Sequence, residues 1–329
     1  MSFFDRPPDA DDPNVIWDFG WIAPDLRSTE ESRADQQAKA SLAPFVLQGK
    51  NRYGEERKAF LWECWKHPDA VAQMKFGKVY PGVHQITGSC VGAGGCNYLY
   101  SLACVEMIRL GEPELAVVPF WLLPYGRSRY YLGDRGPGEG SLGSTFAKAV
   151  LEDGYIEADR DGLPTYTSDD GLIWGRNVEL SWSDGDEKKT LDLLPHSRKH
   201  LVKTCAQIRN ADDAREAIVG GFPFGFCGDW GGLMECPVTE GVLLNRRAGS
   251  WNHQQSCHGW WDHPKLGEIF YILNQWGLRT HGICPTGAPP GGYWIKKNEM
   301  EYQCRNGECF VPSQFNGFPA PDRPLSWIF

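Results

Sequence analysis

Apolar positions recur at helical spacing in the first half of the chain and gather into short runs or alternate in the second half, with a polar stretch over residues 163–199 between them. The clearest helical signal opens on the loop 84–95 and continues through Leu99, Leu102, Ala103 and Ile108 to Leu110. Ser89 stands at the N-cap position, which puts Cys90 on the first turn. Gly92, Gly94 and Gly95 each weaken a helix by about 1 kcal/mol relative to Ala, so another element is expected to approach the backbone closely there. Further helices are predicted over 30–40, 55–65 (Phe60, Leu61 and Trp65 on one face, Pro68 closing it), 145–151 ahead of Gly154, and 211–219. Strands are predicted over 200–208 and 222–226, the second broken by Gly228 and the Gly231-Gly232 pair. A long hairpin follows, its first strand starting near Trp251, its turn at 263–267, and its second strand running from Ile269 to Asn274. The charge run 184–189 reads as a solvated loop.

Composition narrows the function classes. The 329 residues suffice for one large domain or two lobes, and 14 Trp with 38 Gly imply broad aromatic packing and many tight turns. A net charge of -9, from 42 acidic against 33 basic residues, argues against a nucleic-acid-binding surface. No apolar run is long enough to span a bilayer, and the first residues lack the basic start and apolar core of a secretory signal. A cytoplasmic or virion location is therefore expected, with no membrane partner. Eleven scattered Cys without a CxxC pair read as mostly reduced thiols, although Cys304 and Cys309 are spaced so that they can be bridged. No metal site and no cofactor are expected: the Gly-rich loop 133–141 lacks the Lys-Ser/Thr ending of a phosphate-binding loop and reads as a backbone rail beside a cleft.

The candidate chemistry lies in three separated stretches. A thiol at a helix start is favoured as thiolate by the unpaired N–H groups and the helix dipole, which points to Cys90 as a nucleophile. The hairpin puts His253 at the start of one strand and Asn274 at the end of the next, bringing the two close in space. A thiol at a helix start, a distant His and a later Asn form the set a thiol hydrolase needs: nucleophile, proton acceptor and a group that orients the ring.

These residues resemble the papain-like cysteine peptidases. The resemblance rests on the run 85–92, the spacing His253 to Gly259, the run Asn274-Gln275-Trp276-Gly277, the later Gly291-Gly292-Tyr293-Trp294-Ile295, the loop 138–141 and Pro164-Thr165-Tyr166, in one order over residues 80–312. It implies an α+β, two-lobe fold: a helical lobe at 81–180 carrying the Cys90 helix, a β-barrel-like lobe at 181–329 carrying His253 and Asn274, and an N-terminal extension at 1–80. It implies Cys90 as nucleophile, His253 as its partner, Asn274 as the orienting acceptor, Trp276 as a shield over the Asn–His bond, and Gln85 as oxyanion donor. Gly138, Glu139, Gly140 and Ser141 would line the substrate cleft. Three positions depart from the family pattern: Gln85 stands one residue nearer the Cys, with His84 at the usual place, so that either can be the donor; Val91 replaces a Trp; and Gln275 replaces a Ser.

The expected function is peptide or protein hydrolysis through a thioester. The alternative is a structural or binding subunit of a large assembly, with the site idle or used once, because chains of this type also look similar to papain-like proteins encoded by bacteriophages. In either case residues 1–45 are expected to be a docking arm anchored on the body or an assembly partner through Phe3, Phe4, Ile16, Trp17, Phe19, Trp21 and Ile22, and not an inhibitor crossing the cleft.

Overall fold

The long hairpin predicted from the sequence forms the middle of the main sheet: strand β8 (Gly249–His263) turns into β9 (Gly267–Leu273) in antiparallel register, Ser256 opposite Leu273 and Trp261 opposite Ile269. These relationships come from a computed structural model that describes residues 20–48, 57–66, 82–110, 116–134, 136–164, 174–278 and 280–319. From His253 to Trp260 every β8 side chain is buried, so this strand is covered on both faces and lacks the alternation of a half-exposed one. His263 caps the turn, its Nδ1 accepting from the backbone N–H groups of Lys265 and Leu266 at 3.2 Å each.

Around this hairpin the sheet runs in the order β1 (Ala43–Pro44), β4 (Thr204–Ile208), β11 (Glu308–Ser313), β5 (Phe224–Gly231), β8, β9, β10 (Gly292–Lys296). A further strand, β3 (Lys58–Phe60), pairs with β8, while β2 (Leu47–Gln48) pairs with β12 (Phe318–Pro319) and β6 (Val238–Thr239) with β7 (Val242–Leu243). Among the described residues this path does not close on itself, and the mixed α+β architecture is the one expected. Strand β5 continues through Gly228 to Gly231, absorbing the predicted break as a register shift between Gly228 and Trp230.

Eight α-helices surround the sheet among the described residues: α1 (Thr29–Ala40), α2 (Cys90–Leu110), α3 (Leu122–Leu132), α4 (Gly143–Glu152), α5 (Arg176–Trp182), α6 (Lys188–Ser197), α7 (Ala211–Gly220) and α8 (Lys297–Asn306). Helix α1 starts on a reciprocal capping box: Ser28 Oγ accepts from the Glu31 N–H at 3.1 Å, and Glu31 accepts from the Ser28 N–H at 2.6 Å. Helix α2 is an internal helix, buried at every position from Cys90 to Leu102, and the apolar face read from its periodicity is only part of its buried surface. Its glycines permit that burial. A Cβ on Gly95 would run into the Phe146 ring of α4, and Gly92 and Gly94 face Trp121 and Gln254. The helix-propensity cost of three glycines is offset by packing against three different elements at once.

Two predicted elements are otherwise. The helix over 55–65 is replaced, in its described part, by β3 and a 3-10 turn at Leu61–Lys66, because pairing with β8 captures Phe60 and core packing buries Leu61, Trp62, Cys64 and Trp65. The polar stretch holds two helices, and Lys188 and Lys189 of the charge run form the first turn of α6. No helix among the described residues is long and apolar enough to cross a membrane.

Candidate active site

The hairpin register determines what surrounds His253. Three residues beyond the Ser256–Leu273 pair, His253 meets Trp276, and the two rings stack with centroids 4.4 Å apart. His253 Nε2 is 2.8 Å from Asn274 Oδ1, which also accepts from the Gln275 N–H at 2.8 Å. The other side of the Asn274 amide, Nδ2, donates to Nε2 of His281 at 2.8 Å, and His281 Nδ1 meets the Met234 carbonyl at 2.9 Å. Burial pushes His281 down to about 4, so it stays neutral through the physiological range. With Nε2 engaged by Asn274, Nδ1 is the His253 nitrogen on the opposite side of the ring.

Cys90 lies where the start of α2 abuts β8. The Gln254 N–H, next in sequence to His253, reaches Cys90 Sγ at 3.4 Å. Two glutamines tie the strands to the helix start: Gln254 Nε2 donates to Val91 O at 2.9 Å, and Gln275 Nε2 donates to Cys90 O at 3.3 Å and also to Gln254 O. The loop before Cys90 is clamped from three elements. Tyr125 of α3 donates to Gly88 O at 3.2 Å, Glu139 accepts from the Gly88 N–H at 3.1 Å, and Glu179 of α5 accepts from Thr87 Oγ1 at 2.5 Å and Ser89 Oγ at 2.8 Å. Burial raises the Glu179 carboxyl to about 7, against the pull of hydrogen bonds from Thr87, Ser89 and the backbone of Ile86 and Thr87. Ser89, expected as a helix cap, directs its hydroxyl to this carboxyl.

The remaining predicted residues divide. Gln85 sits beside the site but its Nε2 donates to Thr87 O at 2.7 Å and its N–H to Gln275 O at 2.8 Å, while the His84 ring lies over Gly277. In the loop 138–141, the Gly138 N–H goes to Ser183 Oγ at 2.9 Å, Glu139 also pairs with Arg176 at 2.7 Å, and Ser141 Oγ turns inward to Ser128 and Thr145. The Ser141 backbone faces outward from this loop, both its N–H and its carbonyl pairing with residues 20–22. Sequence reasoning missed Gln254, Glu179 and His281, none of which stands in a local pattern that marks it.

That backbone is occupied by the protein's own N-terminal segment. Ile22 N–H donates to Ser141 O at 3.2 Å, the Ser141 N–H donates to Gly20 O at 2.7 Å, and the Trp21 N–H donates to Asn252 O, next to His253, at 3.1 Å. Gly20, at φ +88°, packs so closely on the Gly88 carbonyl that a Cβ has no room. An ionic cluster holds the segment: Trp21 Nε1 donates to Glu308 at 3.2 Å, Arg27 donates to Ile22 O at 3.0 Å and pairs with Asp35 at 2.7 Å and Glu308 at 3.1 Å, and Lys39 joins both acids at 2.9 and 2.6 Å. Trp21 and Ile22, expected among the anchors of an arm docked on the body, are held there by the Ser141 and Asn252 backbone groups, which satisfy the segment's own. Phe3, Phe4, Ile16, Trp17 and Phe19 lie outside the described residues.

No protein-family model matches the chain, and no curated protein matches it. Solved structures do match in shape. A cysteine protease from Xylella fastidiosa, xylellain, superposes with a TM-score of 0.52 at 13% identity, over 84% of this chain and 96% of its own. Digestive procathepsin L 3 of Tenebrio molitor gives 0.50 at 11% identity, over 86% and 79%. Procathepsin B S9 from Trypanosoma congolense gives 0.50 at 11% identity, over 88% and 91%. At these identities the likeness is one of fold: an α+β fold of the papain-like cysteine protease type.

Proposed function

We propose that the protein is a cysteine peptidase whose nucleophile is Cys90, and that residues 20–22 hold it latent. The observation that carries this reading is the convergence at the head of α2: the strand residue after His253 contacts Cys90 Sγ, and His253 is oriented from behind by Asn274 and covered by Trp276. In the reaction the Cys90 thiolate, favoured by the helix start, attacks a peptide carbonyl carbon. The oxyanion formed is met by the Cys90 N–H at the start of α2. The C–N bond then breaks, the amine leaves with the proton His253 carried, and a thioester remains. Water, deprotonated by His253, cleaves that thioester and restores the thiol. Gln85 is a secondary contributor at most, since its amide already donates to Thr87 O.

Latency follows from the strap. A substrate needs the backbone edge of Ser141 and the Asn252 carbonyl, and both are taken by Gly20, Trp21 and Ile22. The strap's nearby carbonyls are engaged as well, Gly20 O by the Ser141 N–H and Ile22 O by Arg27, so neither is presented to the sulfur. Two of the similar structures are procathepsins. The test is to insert a specific protease site between Arg27 and Ser28, both retained, cut the full chain, and follow both iodoacetamide labelling of Cys90 and turnover of fluorogenic peptide amides. Labelling and turnover that rise on cutting support the reading. Labelling without turnover would favour a site used once, and neither would overturn it.

A further inference from the structure

The Asn274 amide is chemically two-faced, and a flip exchanges an acceptor for a donor at nearly the same place. Two partners here have only one option each. The Gln275 N–H can only donate, and it points at Oδ1 from 2.8 Å. His281, with Nδ1 2.9 Å from the Met234 carbonyl, must carry its hydrogen there, which leaves Nε2 able only to accept from Asn274 Nδ2 at 2.8 Å. Both constraints place the amide oxygen toward His253, so His253 Nε2 must hold the hydrogen in that 2.8 Å contact, whether the ring is neutral or protonated.

We infer that His281 is a positioning residue of the thiol site: through Asn274 it determines that the His253 hydrogen sits on Nε2 and that Nδ1 is the nitrogen turned away from Asn274. Its surroundings suit that role. The ring is fully buried, with Tyr293 edge-on at 4.6 Å and the Cys236 N–H donating to the His281 carbonyl at 3.3 Å, so both ring and backbone are immobilised. Its depressed pKa keeps Nε2 an acceptor where an imidazolium would force the Asn274 amide over. The order of bonds, Met234 carbonyl from His281, His281 from Asn274, Asn274 from His253, is a directional chain in which each link fixes the next. The consequence for activity rests on the peptidase reading, whereas the position of the hydrogen does not.

The experiment uses the full chain labelled with 15N-histidine, in which the His253 signals are identified by their loss in His253→Ala. His281→Gln keeps an acceptor near the Nε2 position, and His281→Asn loses it while staying polar. The wild type and His281→Gln should show a His253 Nε2–H protected from solvent exchange, and His281→Asn should lose at least about tenfold of that protection. In protein cut at the strap, kcat should fall about tenfold or more in His281→Asn with KM nearly unchanged, and recover in His281→Gln. Equal protection in all three proteins would overturn the inference. Protection lost without any turnover in wild type would leave it standing and sink the peptidase reading instead. If His281→Asn does not fold, Asn274→Asp supplies the second test: a carboxyl opposite His281 Nε2 should raise the His281 titration midpoint by at least about one unit, and an unmoved midpoint would overturn the inference.

Discussion

The two sides of the cleft are held in place by different physics. On the strand side, His253 is positioned by neutral groups in a fixed donor–acceptor order ending at the Met234 carbonyl, and its neighbour His281 does not change charge between about pH 5 and 8. On the helix side, the loop before Cys90 hangs on a carboxyl that burial raises to about 7, and the strap over it is tied down by four charged side chains. In the proposed reaction, the ring that moves protons is set by neutral contacts. The proposed covering, and the loop beneath it, depend instead on charged and ionisable groups.

The largest effect tests the shared centre of both sides. Cys90→Ala should abolish peptide turnover in protein cut at the strap, by at least about 10⁴-fold, with a melting temperature close to that of the parent. Retained turnover would remove Cys90 from the chemistry.

Next is the ionic side. Arg27→Ala deletes contacts to Ile22 O, Asp35 and Glu308 and leaves two carboxylates with Lys39. Breaking a buried ion pair costs on the order of 3–5 kcal/mol, and here the loss should appear as strap release. Cys90 labelling in the uncut chain should therefore accelerate by at least about 100-fold, and unchanged labelling would show that the backbone pairing alone keeps the cleft closed.

Glu179 should make stability pH-dependent in a stated direction. Its carboxyl is raised from an ordinary value of 4.5 to about 7, so the unfolded chain releases the proton first as pH rises. Its contribution is full below 4.5, declines between 4.5 and 7, and levels off above, a loss on the order of 3 kcal/mol. Urea midpoints of wild type and Glu179→Gln should diverge across that window, the variant lacking this part of the decline. Parallel curves would mean that the carboxyl titrates normally.

The smallest effect concerns Gln85. With its Nε2 donating to Thr87 O, Gln85→Ala should lower kcat/KM less than about tenfold, whereas loss of an oxyanion donor typically costs 10²–10³-fold. A large loss would return Gln85 to the role its position in the sequence suggested.

The sequence by itself determined the pieces whose signals are local. Glycine spacing and apolar periodicity mark the Cys90 helix, and two strand-length runs on either side of a polar turn mark the hairpin that brings His253 to Asn274, because helical period and strand length follow from local backbone geometry. The order of motifs marked the fold. Tertiary structure alone decided the rest. Whether Phe60 lies in a helix or a strand was settled by the edge of β8, and where the Trp21 ring is held by a carboxylate 287 residues away. His281 and Glu179 acquired their roles from a buried amide and a loop that no periodicity connects to them. A hydrogen bond between distant residues leaves no pattern in either one's neighbourhood, and burial, which moves both of their pKa values, exists only once the chain has closed around them.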